Sequence, residues 1–444
     1  MNYIPHTPED FKAMMETVGI GSIQELFSDI PGKFTLDRSL DLPKALSEQE
    51  LFEHLSAINN MNRLPGICLR GAGAYGHYIP AVVGHVLARS EFYTAYTPYQ
   101  AEISQGILQA IYEYQTMIAK LTGMQVANAS MYDGASAMAE AAVLAAKTLD
   151  RNEIVLARSI HPEYREVVKT YCWANGFTII ETPYRDSGRA DADSIRSCLG
   201  ESTAAVIVQS PNFFGVIEDL SLVAADVQRC GALLVAGFTE ACSLGLLKPA
   251  GEMGADLVVG EGQSFGNPLN YGGPYLGIFA STRKLLRKIP GRLAGATVDK
   301  EGKRGFVLTL QTREQHIRRE RATSNICSNE ALCALAAAVY LASLGKNLRK
   351  LSELNFQKAQ YLKSSLSKLQ GWSAVFPGPV FNEFVMRCPD PAGVNRKLAA
   401  EGITGGVEIS GHYPELGDTM LLCATEMLSR SDIDRVVSIL KGKA

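Results

Sequence analysis

Five short apolar runs in the middle of the chain constrain its fold more than any other feature. They are rich in β-branched residues and are separated by helical or turn-forming segments; in order they read NEIVLA, FTIIET, AAVIVQS, ALLVAG and ADLVVG. Strands buried on both faces read as continuous apolar runs, and parallel strands need crossover helices that cover both faces of the sheet. The sequence therefore predicts an α/β core built on a parallel sheet.

The segments on either side of this pattern have a different character. Near the start, TPEDFKAMMETVG has proline at its first helical position and ends at glycine, and SEQELFEHLSAINN opens with a capping box. Near the end, an alanine-rich helix and a charged amphipathic helix precede short strands and a last helix. We expect an N-terminal helical arm with a glycine-rich loop in 1–85, a large α/β domain in 86–330 and a smaller α+β domain in 331–444.

Composition places the protein among ordinary globular chains. Hydrophobic residues make up 46% of the 444 positions and charged residues 20%, and no apolar run approaches the roughly 20 residues of a membrane-spanning helix. The first residues lack the basic and apolar regions of a secretory signal, so we expect a cytoplasmic protein. Nine cysteines without a CxxC pair indicate reduced thiols and no metal site. A net charge of -3 argues against nucleic-acid binding.

The stretch GAGAYG at 71–76 matches the dinucleotide-binding pattern GxGxxG, but its surroundings do not. That pattern binds a pyrophosphate when a strand leads into it and a helix leads out of it. Here only three apolar residues precede the glycines, and Pro80 follows where a helix interior would lie. We disfavour nicotinamide binding and leave two alternatives open: a tight turn, or a loop in which Tyr75 and His77 approach a ligand.

Two further stretches place polar side chains before helices. Tyrosines and threonines are concentrated in EFYTAYTPYQAEISQG, a loop that is either structural or part of a site and precedes a long helix. In RRERATSNICSNEAL, Thr323, Ser324 and Asn325 precede another helix, where such residues cap the helix or bind a phosphate. Just upstream, the basic run REQHIRRER is either a solvated helix face, which we favour, or an anion-binding segment.

Four stretches taken together resemble one protein family: AYTPYQAEISQG, NASMYDGASAMAEA, FGNPLNYGGP and RRERATSNIC. The family is glycine dehydrogenase (decarboxylating), the P-protein of the glycine cleavage system, and the resemblance runs nearly end to end. It implies the fold-type I architecture of pyridoxal-phosphate-dependent transferases, which agrees with the α/β core and the smaller C-terminal domain. Family members are one chain of two homologous halves or separate subunits 1 and 2. This chain resembles subunit 1.

The resemblance also gives a meaning to the turn GQSF after the last predicted strand. Pyridoxal-phosphate catalysis needs a lysine amine for the Schiff base and a carboxylate against the pyridinium nitrogen. Subunit 2 of the family has both groups, whereas here Gln263 stands where we place the lysine and Ala236 where we place the aspartate. The neighbouring Lys248 lies in a polar loop and is interpreted as a surface residue. We therefore expect pyridoxal phosphate to be held by the partner subunit and not by this chain.

The family reaction releases CO2 from glycine and passes the aminomethyl group to the lipoyl arm of the H-protein. The resemblance implies subunit 2 as a partner, in a two-plus-two heterotetramer, with the lipoylated H-protein and glycine as further partners. Active sites of this fold type lie at a dimer interface, so we expect loops of this chain to complete the partner's site. The long helix over 101–122 is a candidate for part of that interface.

Three groups of residues are expected to serve that site: Tyr96, Thr97 and Tyr99 in catalysis, Tyr75 and His77 along the substrate or lipoyl channel, and Thr323, Ser324 and Asn325 beside the partner's cofactor phosphate. These polar loops favour a subunit that takes part in catalysis, because a pure scaffold has no physical need for exposed tyrosines beside a glycine-rich turn. A non-catalytic scaffold or regulatory subunit with a vestigial pocket remains the alternative.

Overall fold

The computed structural model describes residues 5–322, 324–326 and 329–442. The chain divides into two compact units, 1–64 and 65–444. The first unit holds helices α1 (Pro8–Val18) and α2 (Glu48–Asn59), which both begin with a capping box, as the sequence predicts. No described residue of this unit is buried, although it carries many large apolar side chains.

The second unit contains the remaining helices and all the described strands. Its helices are α3 (Ala81–Leu87), α4 (Ser90–Tyr93), α5 (Gln105–Thr122), α6 (Gly134–Leu149), α7 (Pro162–Ala174), α8 (Ala192–Ser197), α9 (Ser221–Cys230), α10 (Gln315–Arg318), α11 (Ala331–Leu344), α12 (Asn347–Leu366), α13 (Pro391–Ala400) and α14 (Arg430–Lys441). Its strands are β1 (Ile67–Cys68), β2 (Val126–Ala127), β3 (Glu153–Ala157), β4 (Thr178–Thr182), β5 (Thr203–Gln209), β6 (Leu233–Phe238), β7 (Leu257–Glu261), β8 (Gly277–Ser281), β9 (Ala294–Val298), β10 (Arg304–Leu308), β11 (Ser373–Ala374), β12 (Glu383–Arg387), β13 (Ile403–Thr404), β14 (Val407–Glu408) and β15 (Thr419–Cys423).

A seven-stranded sheet organises the large domain, in the order β2-β8-β7-β6-β5-β3-β4. The five strands predicted from the apolar runs are β3 to β7, and they pair in parallel. The sheet continues with β8 and β2, which pair antiparallel and which the apolar pattern did not indicate. Because the parallel strands all end at the same edge, the turns after β6 and β7 bring their side chains together.

Helix α6 packs on this sheet and is almost entirely buried. Asp133 caps it by accepting a hydrogen bond from the backbone N–H of Ser136. A side chain at Gly134 would collide with the backbone of Gly260 and Glu261, so only glycine lets the helix begin against the end of β7. Alanines along the rest of the helix keep the contact with the sheet close.

The small domain is built on the antiparallel sheet β11-β12-β15-β14, with a second hydrophobic core of its own. Strand β1 comes from the segment after residue 64 and pairs in parallel with β13 of this domain. The segment 65–85 therefore packs with the second unit, and the first unit ends at Leu64, earlier than the arm expected over 1–85. Local sequence patterns do not report such long-range strand pairing.

Helix α5 is long and amphipathic, as predicted, but its apolar residues are buried inside this chain. They pack against α11 and the hairpin of β9 and β10, in the third hydrophobic cluster and the main core. Of the stretch 101–122 expected at the partner interface, Ile103 before the helix is 82% exposed, whereas most apolar residues of α5 itself are buried.

Among the described residues, no single helix is long and apolar enough to cross a membrane. The pair α11 and α12, bent by 94°, passes the same test of length and composition together. Most of α11 is packed in the main hydrophobic core.

Candidate active site

Gln263 lies in the turn after β7, and both the oxygen and the nitrogen of its amide form a hydrogen bond. The side chain is 2% exposed. Its Oε1 accepts a hydrogen bond from the backbone N–H of Tyr75 at 3.0 Å, and its Nε2 donates to the backbone oxygen of Asn267 at 2.7 Å. The amide thus joins the glycine-rich loop to the turn that follows β7.

The glycine-rich loop between β1 and α3 is held in the interior by Glu383 of β12. The Glu383 carboxylate accepts from the backbone N–H of Ala72 at 2.6 Å and from the hydroxyl of Tyr75 at 2.7 Å. The Tyr75 hydroxyl also lies 3.1 Å from Thr239 Oγ1 at the end of β6. A side chain at Gly71 would collide with the same carboxylate, so this glycine allows the close approach. Tyr75 is therefore buried and tied to both domains.

His161, just before α7, lies against the same loop. Its Nε2 is 3.0 Å from the backbone oxygen of Ala72, and a side chain at Gly73 would come within 3.1 Å of that nitrogen. Burial lowers the pKa of His161. The space at the ends of β5, β6 and β7 is thus occupied by the chain's own loop and its buried partners.

His77 lies between two carboxylates at the end of this loop. Its Nε2 is 2.9 Å from Glu240 and its Nδ1 is 2.8 Å from Glu426, with the ring almost completely buried. Burial alone lowers the pKa of His77, but the charges and hydrogen bonds of Glu240 and Glu426 outweigh it and raise the pKa to about 10. The side chains of Tyr75 and His77, which we expect along the substrate or lipoyl channel, are both buried.

We predict that His77 stabilises the fold in a pH-dependent way. Its folded pKa of about 10 exceeds the reference value of 6.5, so its contribution is complete below about pH 6.5 and is lost as the pH rises through 10. The variant His77→Gln should lower the free energy of unfolding at pH 6.5 by a few kcal/mol, and the difference from wild type should shrink toward pH 10. Thermal unfolding across this range measures it, with the exposed His85→Gln as control. A difference that does not depend on pH would contradict this account.

The loop that holds Tyr96, Thr97 and Tyr99 is exposed on one side and anchored on the other. Tyr96 is 84% and Tyr99 48% exposed, whereas Pro98 between them is buried. The hydroxyl of Tyr99 accepts a hydrogen bond from Arg292 Nη2 at 3.0 Å, and the guanidinium carbon lies 5.4 Å from the centre of the Tyr99 ring. The loop therefore presents polar groups in a fixed arrangement.

Ser324 and Asn325 lie at a different cavity, of about 290 Å³, whose lining also includes Lys147, Tyr171 and Arg319. Thr323, predicted with them, lies outside the described residues. Burial raises the pKa of Glu140 in the same cavity to about 7, although a hydrogen bond with the Ser324 side chain acts to lower this pKa. The cavity thus combines cationic groups with a buried acid.

Comparison with known proteins decides the family. The family model for the glycine cleavage system P-protein matches residues 1–440. The chain belongs to this family. It is 52% identical over 438 residues to a protein of Desulforamulus reducens named "Probable glycine dehydrogenase (decarboxylating) subunit 1", which covers 98% of both chains.

Solved structures agree with this membership. A crystal structure of glycine decarboxylase (P-protein) of the glycine cleavage system, in inhibitor-bound form, aligns with a TM-score of 0.88 and 42% identity over 100% of both chains. Sphingosine-1-phosphate lyase of Burkholderia pseudomallei, at 14% identity, shares the fold, with a TM-score of 0.65 over 92% of this chain and 93% of its own. The architecture is that of fold-type I pyridoxal-phosphate enzymes, and the P-protein family performs the decarboxylating step of glycine cleavage. The name subunit 1 in the full-length relative implies a partner subunit.

Two successive residues of β6 bear on the carboxylate that this P-protein chain is expected to lack. Ala236 and Gly237 both line a cavity of about 100 Å³ with Leu244 and Met253. The next residue, Gly237, faces the opposite side of the sheet, because a side chain there would collide with Met138 of α6. The position of β6 that faces α6 is therefore Gly237 and not Ala236. Neither residue carries a carboxylate.

These residues do not fit pyridoxal phosphate in this chain's own pocket. An amide cannot form an imine, and the Gln263 amide is already bound to two backbone groups. Lys248 is exposed on a loop and also lines the cavity that includes Ala236. The loop that carries Tyr75 lies against Gln263, so the site also differs in shape from an open cofactor cleft.

Sequence reasoning missed the acidic and basic partners that organise the site. Glu240, Glu383 and Glu426 hold the glycine-rich loop, and Arg292 anchors Tyr99. Of these, Glu383 begins strand β12 directly before three apolar residues, which is a local signal of a buried and paired carboxylate. The other residues carry no comparable local signal, since each meets its partner across a long stretch of chain.

Proposed function

We propose that this chain is the subunit of a glycine-decarboxylating enzyme that completes an active site without holding the cofactor. Pyridoxal phosphate is bound by the partner, subunit 2, in a cytoplasmic two-plus-two heterotetramer. The assembled enzyme decarboxylates glycine, releases CO2 and transfers the aminomethyl group to the lipoyl arm of the H-protein. The bound cofactor supplies the electron sink for decarboxylation.

The state of Gln263 is the observation that carries this proposal. This chain aligns over 98% of its length with its subunit 1 relative. In this proposal its buried Gln263 amide stands in place of the cofactor lysine and holds the glycine-rich loop instead. A vestigial pocket in an isolated protein would have no reason to keep exposed polar loops. The Tyr96 to Tyr99 loop has both exposure and anchoring, which suits groups that act on a neighbouring subunit's site.

In this proposal the polar groups of the chain orient glycine and the incoming lipoyl arm, and they keep water from the reacting carbon. Tyr96, Thr97 and Tyr99 supply hydroxyl groups from across the interface. Ser324 and Asn325, with Thr323, face the phosphate of the partner's cofactor. Tyr75 and His77 act indirectly on the channel, because their buried contacts set the position of the glycine-rich loop.

The arm of residues 5–64 supports a partner-binding role. Large apolar side chains of both helices and of the connecting segment are exposed, including Phe27, Phe34, Phe52 and Leu55. Apolar side chains in such density are otherwise buried, and an arm without any buried residue has no core to stabilise it alone. We assign this surface to the partner subunit that the name subunit 1 of the relative implies.

The proposal is tested with Gln263→Lys, which restores the lysine of the Schiff base. We expect that the purified variant forms no borohydride-reducible imine with pyridoxal phosphate and does not decarboxylate glycine alone. The glycine-rich loop still lies against position 263, and the carboxylate for the pyridinium nitrogen is still absent. Two buried backbone groups lose their partner and an ammonium enters the interior, so the variant should lose about 3 kcal/mol or more of stability.

Absorption spectra, borohydride trapping and thermal unfolding measure these outcomes. The control is Gln109→Lys on the exposed face of α5, which keeps a favourable pairing with Glu113 four residues later and should leave stability unchanged. A cofactor-linked lysine in the wild-type chain, or activity of Gln263→Lys without the partner, would show the proposal to be wrong. Reconstitution of glycine decarboxylation from the wild-type chain and a lysine-bearing partner supports it.

A further inference from the structure

A small pocket on the large domain brings together two basic segments that are distant in sequence. Its volume is about 220 Å³, and its lining residues are Arg287, Lys288, Leu310, Thr312, Arg313 and Arg318. Four of the six are cationic and none is acidic. The pocket shares no lining residue with the cavity of Ser324 and Asn325 described above.

Arg313 forms a fixed wall of this pocket. Its guanidinium donates to the backbone oxygens of Leu310 at 3.0 Å and Gly291 at 2.8 Å, and also to that of Ile289. These bonds hold the group in place but bring no negative charge. The carboxylate of Glu314 lies 3.5 Å from Arg292 and 3.6 Å from His316. Burial lowers the pKa of Arg313, and the charge of Glu314 acts in the opposite direction.

The other three cations of the pocket are exposed to solvent. Across the described part of the chain, the side chains of Arg287, Lys288 and Arg318 make no hydrogen bond and no ion pair. Some other exposed arginines are paired with carboxylates, as Arg196 is with Asp226. Like charges that line one pocket repel each other, and a bound anion relieves that repulsion.

We propose that this pocket is a binding site for a small phosphate-bearing molecule. Guanidinium groups recognise phosphate oxygens through paired N–H donors, and a lysine ammonium and the Thr312 hydroxyl add donors from other directions. Four positive charges suit a multiply charged phosphate better than a single carboxylate. In this proposal the largely exposed run REQHIRRER, which the sequence favours as a solvated helix face, contributes Arg313 and Arg318 to an anion site.

The experiment uses the full chain and inorganic phosphate as the probe, with binding followed by calorimetry at constant ionic strength. We expect saturable binding at one site. Arg287→Gln and Arg318→Gln should each weaken it by about 10-fold or more, since each removes a charge-assisted hydrogen bond. Arg349→Gln, at an exposed arginine of α12 paired with Glu353, is the matched control and should leave phosphate binding unchanged.

Three results would overturn the proposal. The first is phosphate binding that the pocket variants do not weaken. The second is an equal loss of phosphate binding when chloride is added at the same ionic strength, which would indicate unspecific charge screening. The third is binding of the partner subunit that falls in the pocket variants while phosphate binding is absent, which would make the pocket a contact for an acidic protein surface. Because the assay needs no glycine turnover, its outcome is independent of the proposed function.

Discussion

Removing the hydroxyl of Tyr99 by Tyr99→Phe is expected to lower the kcat of glycine decarboxylation in the reconstituted complex by roughly 10-fold to 1000-fold. The ring and its cation–π contact with Arg292 remain, whereas the hydroxyl and the hydrogen bond that it accepts from Arg292 are lost. A polar contact that strengthens in the transition state typically contributes a few kcal/mol. Thr97→Val, which removes the neighbouring hydroxyl at nearly constant volume, should act in the same direction.

The matched control is Tyr361→Phe, which removes a tyrosine hydroxyl that donates to Asp434 at 2.6 Å on the small domain. It should leave turnover unchanged. Sedimentation and H-protein binding are measured in parallel, because the loss must occur in an assembled enzyme. If Tyr99→Phe and Thr97→Val both keep full turnover with assembly intact, the loop is structural and the scaffold alternative becomes the better account.

The double variant Phe52→Asp with Leu55→Asp is expected to weaken binding to the partner subunit by about 100-fold or more. Both side chains lie on α2, where Phe52 is 74% and Leu55 55% exposed. A buried interface aromatic typically contributes 2 kcal/mol or more, and burying an unpaired carboxylate in its place adds a further penalty. Titration of the partner against the variant by calorimetry or sedimentation measures the effect.

Trp173→Asp serves as the control for the arm, because Trp173 is an equally exposed aromatic, at 82%, on α7 of the second unit. It should leave partner binding unchanged. Both substitutions lie at exposed positions of α2, so we expect the helix to be retained. Circular dichroism checks that the helix content of the chain is unchanged. Full affinity in the double variant would show that the arm does not contact the partner.

Much of the fold can be predicted from the sequence because it depends on local patterns. The runs that form β3, β5, β6 and β7 are nearly continuously apolar because these strands are buried, and this burial is visible in each run by itself. Strand β4, at the edge of the sheet, is only partly buried. The helices of the arm begin at capping boxes whose residues lie three positions apart. Antiparallel β2 and β8 escaped prediction because their pairing depends on the path of the chain and not on residue type.

The absence of an amine at position 263 was also readable from sequence, because an amide cannot form an imine whatever its surroundings. The tertiary structure decided what the amide does instead. Gln263 binds the backbone of Tyr75, 188 positions earlier, and Glu383 reaches the same loop from the small domain. It also decided that α5 is buried while the arm is exposed, and that Arg313 and Arg318 share a pocket with Arg287. Periodicity and capping act over a few residues, whereas these contacts follow from how distant segments pack, so only the folded chain determines them.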